Sequence, residues 1–199
     1  MRSSSAVGYN ETRDAIARNW YPFLTQVGCE RNWILLPNLG DDSVLYLKHW
    51  GVEALILTGG DDIGHDESRD NTELSMLRYC IENQLPVLGI CRGAQLIYHY
   101  FGGTISNIDS QVHRSKRHKI TSQGIMPWWP GHYQGNVNSY HSMGLASPLP
   151  KELTGFISTG NDCEGIMHKS LNIIGIMWHP ERESTISDFD RNLIHWLFS

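Results

Sequence analysis

Residues 85–95 read Leu85-Pro86-Val87-Leu88-Gly89-Ile90-Cys91-Arg92-Gly93-Ala94-Gln95. The apolar run stops at Cys91, and a helical pattern starts at once. Gly89 and Gly93 stand two positions either side of the cysteine, which is the cysteine form of a nucleophile elbow. A sharp strand-to-helix turn strains its central residue, and neighbours without Cβ let adjacent elements close over it. Cys91 is therefore expected at the carboxyl end of a strand, beside a first helical turn whose free amides and dipole favour thiolate. The amide after the nucleophile points where a carbonyl oxygen would become negative. The competing reading is a cysteine buried for packing alone. The paired glycines and the preceding strand weigh against it.

Outward from the elbow, strands and helices alternate. Upstream, residues 54–57 form a buried strand that runs into Thr58-Gly59-Gly60-Asp61-Asp62, and 71–83 are helical. A helix over 10–27 is expected, capped by Asn10 or Thr12 and kinked or divided at Pro22. A strand at 33–36 and a helix at 41–50 follow. Downstream, a helix over 92–101 ends at Gly102-Gly103. The alternation predicts an α/β fold: a mostly parallel central sheet flanked by helices on both faces. Functional loops of such sheets lie beyond the carboxyl ends of the strands, so Gly59-Gly60 and Cys91 are expected to face one another.

Residues 102–150 change character, being rich in Gly, Ser, Pro, His and Trp. Strands are expected at 118–121, 135–140, 156–159, 165–168 and 173–177, with a hairpin turn at Asn161-Asp162 and a closing helix at 186–198. The loop 126–131 reads as an excursion beside a pocket, and the basic stretch 113–119 as a solvated loop. Nothing marks a second domain or a repeat, so residues 1–199 are read as one domain.

Sixteen basic against twenty-one acidic residues, a net charge of −5, argue against a nucleic-acid surface. Four cysteines without a CxxC pair fit free thiols in a reducing compartment. No apolar run reaches transmembrane length and no signal-peptide pattern opens the chain, so a cytoplasmic location without membrane contact is expected. His113, His118, His132 and His141 lack close ligand spacing; no metal and no cofactor is expected.

A cysteine nucleophile needs a base, usually histidine, and a group that fixes the histidine's tautomer. Trp178-His179-Pro180-Glu181 follows the last strand and supplies both. Side chains two apart in an extended segment point the same way, and Pro180 stiffens the backbone between them.

Three segments, Thr58-Gly59-Gly60-Asp61, Gly89 to Gln95 and Trp178 to Glu181, resemble the signatures of class I glutamine amidotransferase domains, in matching order. Arg69-Asp70-Asn71-Thr72-Glu73 and Val137-Asn138-Ser139-Tyr140-His141 resemble segments of the γ-glutamyl hydrolase branch, peptidase family C26. The resemblance implies the flavodoxin-like fold of that family and a role for each position. Cys91 attacks the γ-carbonyl of a glutamyl group, His179 relays protons, and Glu181 orients it. The amides of Gly60 and Arg92 form the oxyanion hole. Gly59, Gln95, Asn138, Ser139, Tyr140 and His141 line the glutamyl site, the main chain around Ser139 and Tyr140 contributing with Gln95. Two local alternatives stand beside these roles: an ordinary turn at 138–141, and a capped helix start with an ion pair at Arg69, Asp70 and Glu73. One departure is the leading segment 1–7, a poor strand where the family has an apolar one.

The expected function is a hydrolase that cleaves a γ-glutamyl conjugate through a thioester and releases glutamate. Short members of the branch remove γ-glutamyl groups in polyamine breakdown or capsule biosynthesis, which extends the resemblance to γ-glutamyl-CDP-amidate. The alternative is a glutaminase subunit that hands ammonia to a separate synthase. A non-enzymatic regulator is disfavoured by the intact Cys91, His179 and Glu181. Oligomeric state is left open, a homodimer included.

Overall fold

A computed structural model describes the chain except residues 7, 9 and 30–32 and the side chain of Ser110. In chain order, β1 (Arg2–Ser5) and β2 (Thr12–Ala15) pair antiparallel as a separate ribbon. Then come α1 (Trp20–Gln26), a 3-10 turn (Gly40–Asp42), α2 (Ser43–His49), β3 (Leu55–Leu57), α3 (Glu67–Glu82), β4 (Val87–Ile90) and α4 (Arg92–Tyr100). The second half holds β5 (Ile105–Asn107), α5 (Ser110–His113), β6 (Arg114–Ser122), β7 (Gln134–Tyr140), β8 (Met143–Leu145), β9 (Leu153–Thr159) and β10 (Asp162–His168). It closes with β11 (Ile173–Ile176), a 3-10 turn (Pro180–Arg182) and α6 (Asp188–Phe198).

Among the described residues nine strands form one sheet in the order β3-β4-β11-β10-β9-β6-β7, with β8 against β10 and β5 against β8. The expectation of a mostly parallel sheet is corrected to a mixed one. Among the described residues β3, β4 and β11 are parallel neighbours and every other pairing is antiparallel. The reason is connection length. Parallel neighbours need a crossover such as α3, whereas β9 and β10 are joined by Gly160 and Asn161 alone, with Gly160 at φ +56.

Alternation along β4 and β11 divides the core between the faces. Leu88, Ile90, Ile174 and Ile176 pack with Trp20 and Phe23 of α1 and Phe189 and Leu193 of α6. Val87 and Ile173 pack with Leu47 of α2, Met76 and Leu77 of α3, and Ile97 of α4. Both faces are covered, as the alternation of elements implied.

Several boundaries differ from the sequence reading. Residues 10–19 are not helical; α1 begins at Trp20 and places Pro22 in its first turn, where an amide has no intrahelical partner anyway. The proline marks the helix start and divides nothing. Residues 33–36 pair with no strand, which leaves β3 as the sheet edge. In the weak leading segment, Arg2–Ser5 is a strand of the separate ribbon, and Val7 lies outside the described residues. The basic stretch 113–119 is not a loop: His113 ends α5 and 114–119 begin β6, with His113 and His118 buried and the Arg and Lys residues exposed. Trp128 of the 126–131 loop packs edge-on to Phe156 at 5.2 Å and belongs to the core, not to a pocket wall.

Candidate active site

The elbow has the strain its sequence implied. Cys91 sits at φ 52 and ψ −102, a conformation few non-glycine residues adopt. Its N–H donates to the Ile176 carbonyl at 2.7 Å, and its carbonyl accepts from the Gln95 N–H at 3.0 Å. A Cβ on Gly93 would fall on the Leu57 carbonyl, and one on Gly89 would meet Gly93's own carbonyl carbon at 2.6 Å. The glycine pair therefore lets α4 lie directly on β3 and β4. The expectation that this position favours thiolate is corrected: burial pushes the Cys91 thiol up to about 12. Arg182 and the Arg92 amide pull it down, while Glu181 and Glu164 push it up.

The strand β11 delivers the second component. After it, His179 Nδ1 lies 2.7 Å from Glu181 Oε1, both residues being buried. Glu181 as acceptor fixes the proton on Nδ1 and frees Nε2 for the nucleophile. The extended geometry expected for 179–181 is corrected: Pro180–Arg182 is a 3-10 turn that folds Glu181 back onto the ring. Gly59 is wedged between the partners. A Cβ there would stand 2.7 Å from His179 Cε1 and 3.7 Å from the Cys91 Cβ. The structure thus brings Gly59, Cys91, His179 and Glu181 together.

Gly60 sits at φ +152, and a Cβ on it would fall on Arg69 Nη1. Arg69 donates to the carbonyls of Thr58 at 2.9 Å and Gly59 at 3.1 Å, and its Nε to Glu73 at 2.8 Å. Arg92 turns its buried side chain into the same network and pairs with Glu73 and Asp70, leaving its amide at the elbow. Asp66 caps α3 by accepting the Arg69 N–H at 3.1 Å. Arg69, Asp70 and Glu73 are thus a capped helix start with ion pairs, and they also hold the Gly59-Gly60 loop.

The remaining predicted residues divide. Tyr140 is 46% exposed and stands edge-on to the His179 ring at 5.6 Å, with Arg182 4.4 Å above it, so it forms a wall beside the base. Gln95 is buried and donates to the Met143 carbonyl at 2.8 Å. Ser139 is buried, and its hydroxyl donates to the His113 carbonyl. Asn138 turns its side chain to the backbone of the base. Its Oδ1 accepts the His179 N–H at 2.9 Å, while Nδ2 donates to the His179 carbonyl at 2.8 Å and to Glu183 at 2.6 Å. His141 is buried and faces Glu164.

Two residues escaped the sequence reading. Asp190 is buried and accepts from Trp178 Nε1 at 2.9 Å, steadying the residue before the base; Ser187, three positions earlier, was the capping signal for it. Glu164 is a buried carboxylate within β10 whose main-chain oxygen accepts the Met177 N–H at 2.9 Å. Its signal was a charge two residues from Ile166 in an otherwise apolar run. No helix among the described residues is long and apolar enough to cross a membrane.

Residues 15–195 match the glutamine amidotransferase class-I family model. The chain is 30% identical over 187 residues to the γ-glutamyl-CDP-amidate hydrolase of Campylobacter jejuni, covering 90% of this chain and 86% of that one. It is 28% identical over 135 residues to the glutamine-hydrolyzing GMP synthase subunit of Methanococcus maripaludis, covering 67% of each. The crystal structure of a putative GMP synthase subunit from Thermoplasma acidophilum superposes with a TM-score of 0.71 at 24% identity, covering 90% of this chain and 87% of that one.

Proposed function

The chain belongs to the class-I glutamine amidotransferase family, and from that membership we propose that it hydrolyses the γ-glutamyl amide of a small conjugate through Cys91. The observation that carries the reading is His179, held by Glu181 at 2.7 Å and standing, like Cys91, against Gly59. Because burial keeps the thiol protonated, attack begins with proton transfer to His179 Nε2 as the Sγ–carbon bond forms. The amides of Gly60 and Arg92 receive the oxyanion. Collapse expels the amine, which takes the proton from His179 and leaves a glutamyl thioester. Water, deprotonated by His179, then releases glutamate and restores the thiol.

The leaving group we propose is a nucleotide amidate of the γ-glutamyl-CDP-amidate type. The similarity to the C. jejuni enzyme supports it. So does the strand edge beside Tyr140, where Arg114 is in register with Tyr140 and Lys116 with Ser139. Both cations are exposed, as a partner for diphosphate requires. Ammonia delivery to a separate synthase is the second reading, favoured by the similarity to the glutamine-hydrolyzing GMP synthase subunit.

Glutamate release by the purified chain tests these readings on free glutamine, a γ-glutamyl polyamine and a γ-glutamyl nucleotide amidate, with Cys91→Ala as control. Turnover of the amidate well above glutamine is expected. Substituting Arg114, Lys116 and Arg117 by alanine should then raise KM for the phosphorylated substrate alone. Silence on every conjugate, from a folded chain, would favour ammonia delivery.

A further inference from the structure

Four side chains that this hydrolysis does not use converge beside it. His113 ends α5, His118 is on β6, His141 follows β7 and Glu164 is on β10. All four are buried. His113 Nδ1 lies 3.2 Å from Glu164 Oε1, while His118 Nε2 and His141 Nε2 lie 3.4 and 3.7 Å from Oε2. Yet none of these three nitrogens, and neither Glu164 oxygen, has a hydrogen-bond partner. Buried polar atoms are rarely left so.

The outward nitrogens tell the complementary story. His113 Nε2 meets Asp162 Oδ2 at 3.1 Å, and His141 Nδ1 meets the Met143 carbonyl at 3.2 Å. A carboxylate or carbonyl on one ring nitrogen fixes the tautomer and presents the other nitrogen's lone pair, as outer partners do for metal-ligating histidines. Zinc bonds to N and O ligands at about 2.0–2.2 Å in a tetrahedron, which sets ligand-to-ligand separations of about 3.3–3.6 Å. The contacts of His113 and His141 with Glu164, at 3.2 and 3.7 Å, lie close to that edge length. The donor atoms of His113, His141 and Glu164 lie within 4.8 Å of one another, inside the reach of one ion. An imidazole-rich donor set suits zinc and its neighbours and not magnesium or calcium.

We propose that His113, His141 and Glu164 bind one divalent cation of the zinc class, with His118 packed beside the carboxylate. The ion would join α5, the end of β7 and β10 behind the base: Asn138 of β7 clamps the His179 backbone, and Glu164 holds Met177. The sequence expectation of no metal rested on spacing along the chain; the fold supplies what spacing lacked.

The test uses the full chain, stripped with EDTA and titrated with Zn²⁺ or Co²⁺. Metal is counted by mass spectrometry after gel filtration. About one equivalent should be retained, and Co²⁺ should show the visible absorption of a tetrahedral N/O site without thiolate charge transfer. Zn²⁺ should raise Tm by about 5 °C or more. Cys91→Ala should keep all of this, and Glu164→Gln and His141→Asn should lose it. Retention far below one equivalent, with no visible band and no Tm shift, overturns the proposal. So does a charge-transfer band that vanishes in Cys91→Ala, because it puts the ion at the nucleophile. Should the cluster variants fail to fold, the wild-type and Cys91→Ala titrations decide between these outcomes by themselves.

Discussion

The segment from β3 to α4 and the segment from β6 to β10 build one site by different means. The first is local: strand, glycine loop, helix, strand, elbow and helix succeed one another within residues 55–100, and each functional group comes from the end of a strand. The second is convergent: Asn138, Tyr140, His141 and Glu164 reach their positions through hairpins and register shifts, and they meet partners about twenty to fifty residues away only after folding. The first segment therefore carries the chemistry in its sequence pattern, and the second holds it in place through contacts no pattern announces.

The largest effects should come from the local half. Cys91→Ala should lower kcat by about 10³-fold or more in a folded protein, measured as glutamate release. Gly93→Ala would drive a methyl group into the backbone of β3, a rigid element, and should cost about 3 kcal/mol or more, read as loss of the cooperative unfolding transition. Gly124→Ala in the convergent half meets nothing within 4 Å and should leave Tm unchanged within error. Equal tolerance at both positions would erase the contrast.

Alkylation sharpens the same half. With the thiol pushed up to about 12 by burial, the thiolate fraction at neutral pH is small. Iodoacetamide should modify Cys91 about tenfold faster per pH unit through the alkaline range. A rate independent of pH above about 6 would mean a preformed thiolate–imidazolium pair instead.

The convergent half should respond through position. Asn138→Ala removes both hydrogen bonds to the His179 backbone. We expect kcat to fall by about 10- to 100-fold with KM nearly constant, since both side-chain bonds to the His179 backbone hold the base. A rise in KM alone would put Asn138 in the glutamyl site.

These contrasts explain what was legible. The covered α/β sheet, the elbow, the glycine loop and the His179–Glu181 pair could be read because each is a short stretch with its own steric logic. The antiparallel half of the sheet could not, because hairpin length decides strand direction and only Asn161 signalled one such turn. The Cys91 thiol was misjudged because a helix terminus is visible in sequence, whereas the burial that outweighs it is a property of the whole fold. His113, His118 and His141 looked scattered because their partner, Glu164, lies on a fourth element.

The smallest expected effect lies where the two halves are tied together. Asp190 of α6 is buried against Trp178, and that burial raises its carboxyl from 3.8 to about 6. A carboxyl whose folded value is raised binds its proton more tightly in the native state. Its contribution to stability is therefore fullest below pH 3.8, falls as pH rises towards 6, and stays low above that. Asp190→Asn cannot ionise, retains an acceptor for the Trp178 N–H, and should escape that fall. Wild type and variant should have similar stability near pH 4 and should diverge by about 2 kcal/mol at pH 7, the variant being the more stable. Taking the difference between the two curves removes carboxyls that titrate in both proteins. A wild type that gains on the variant as pH rises would mean that Asp190 is stabilised as the anion by Ser187 and Trp178, and that the link between β11 and α6 is a charged one.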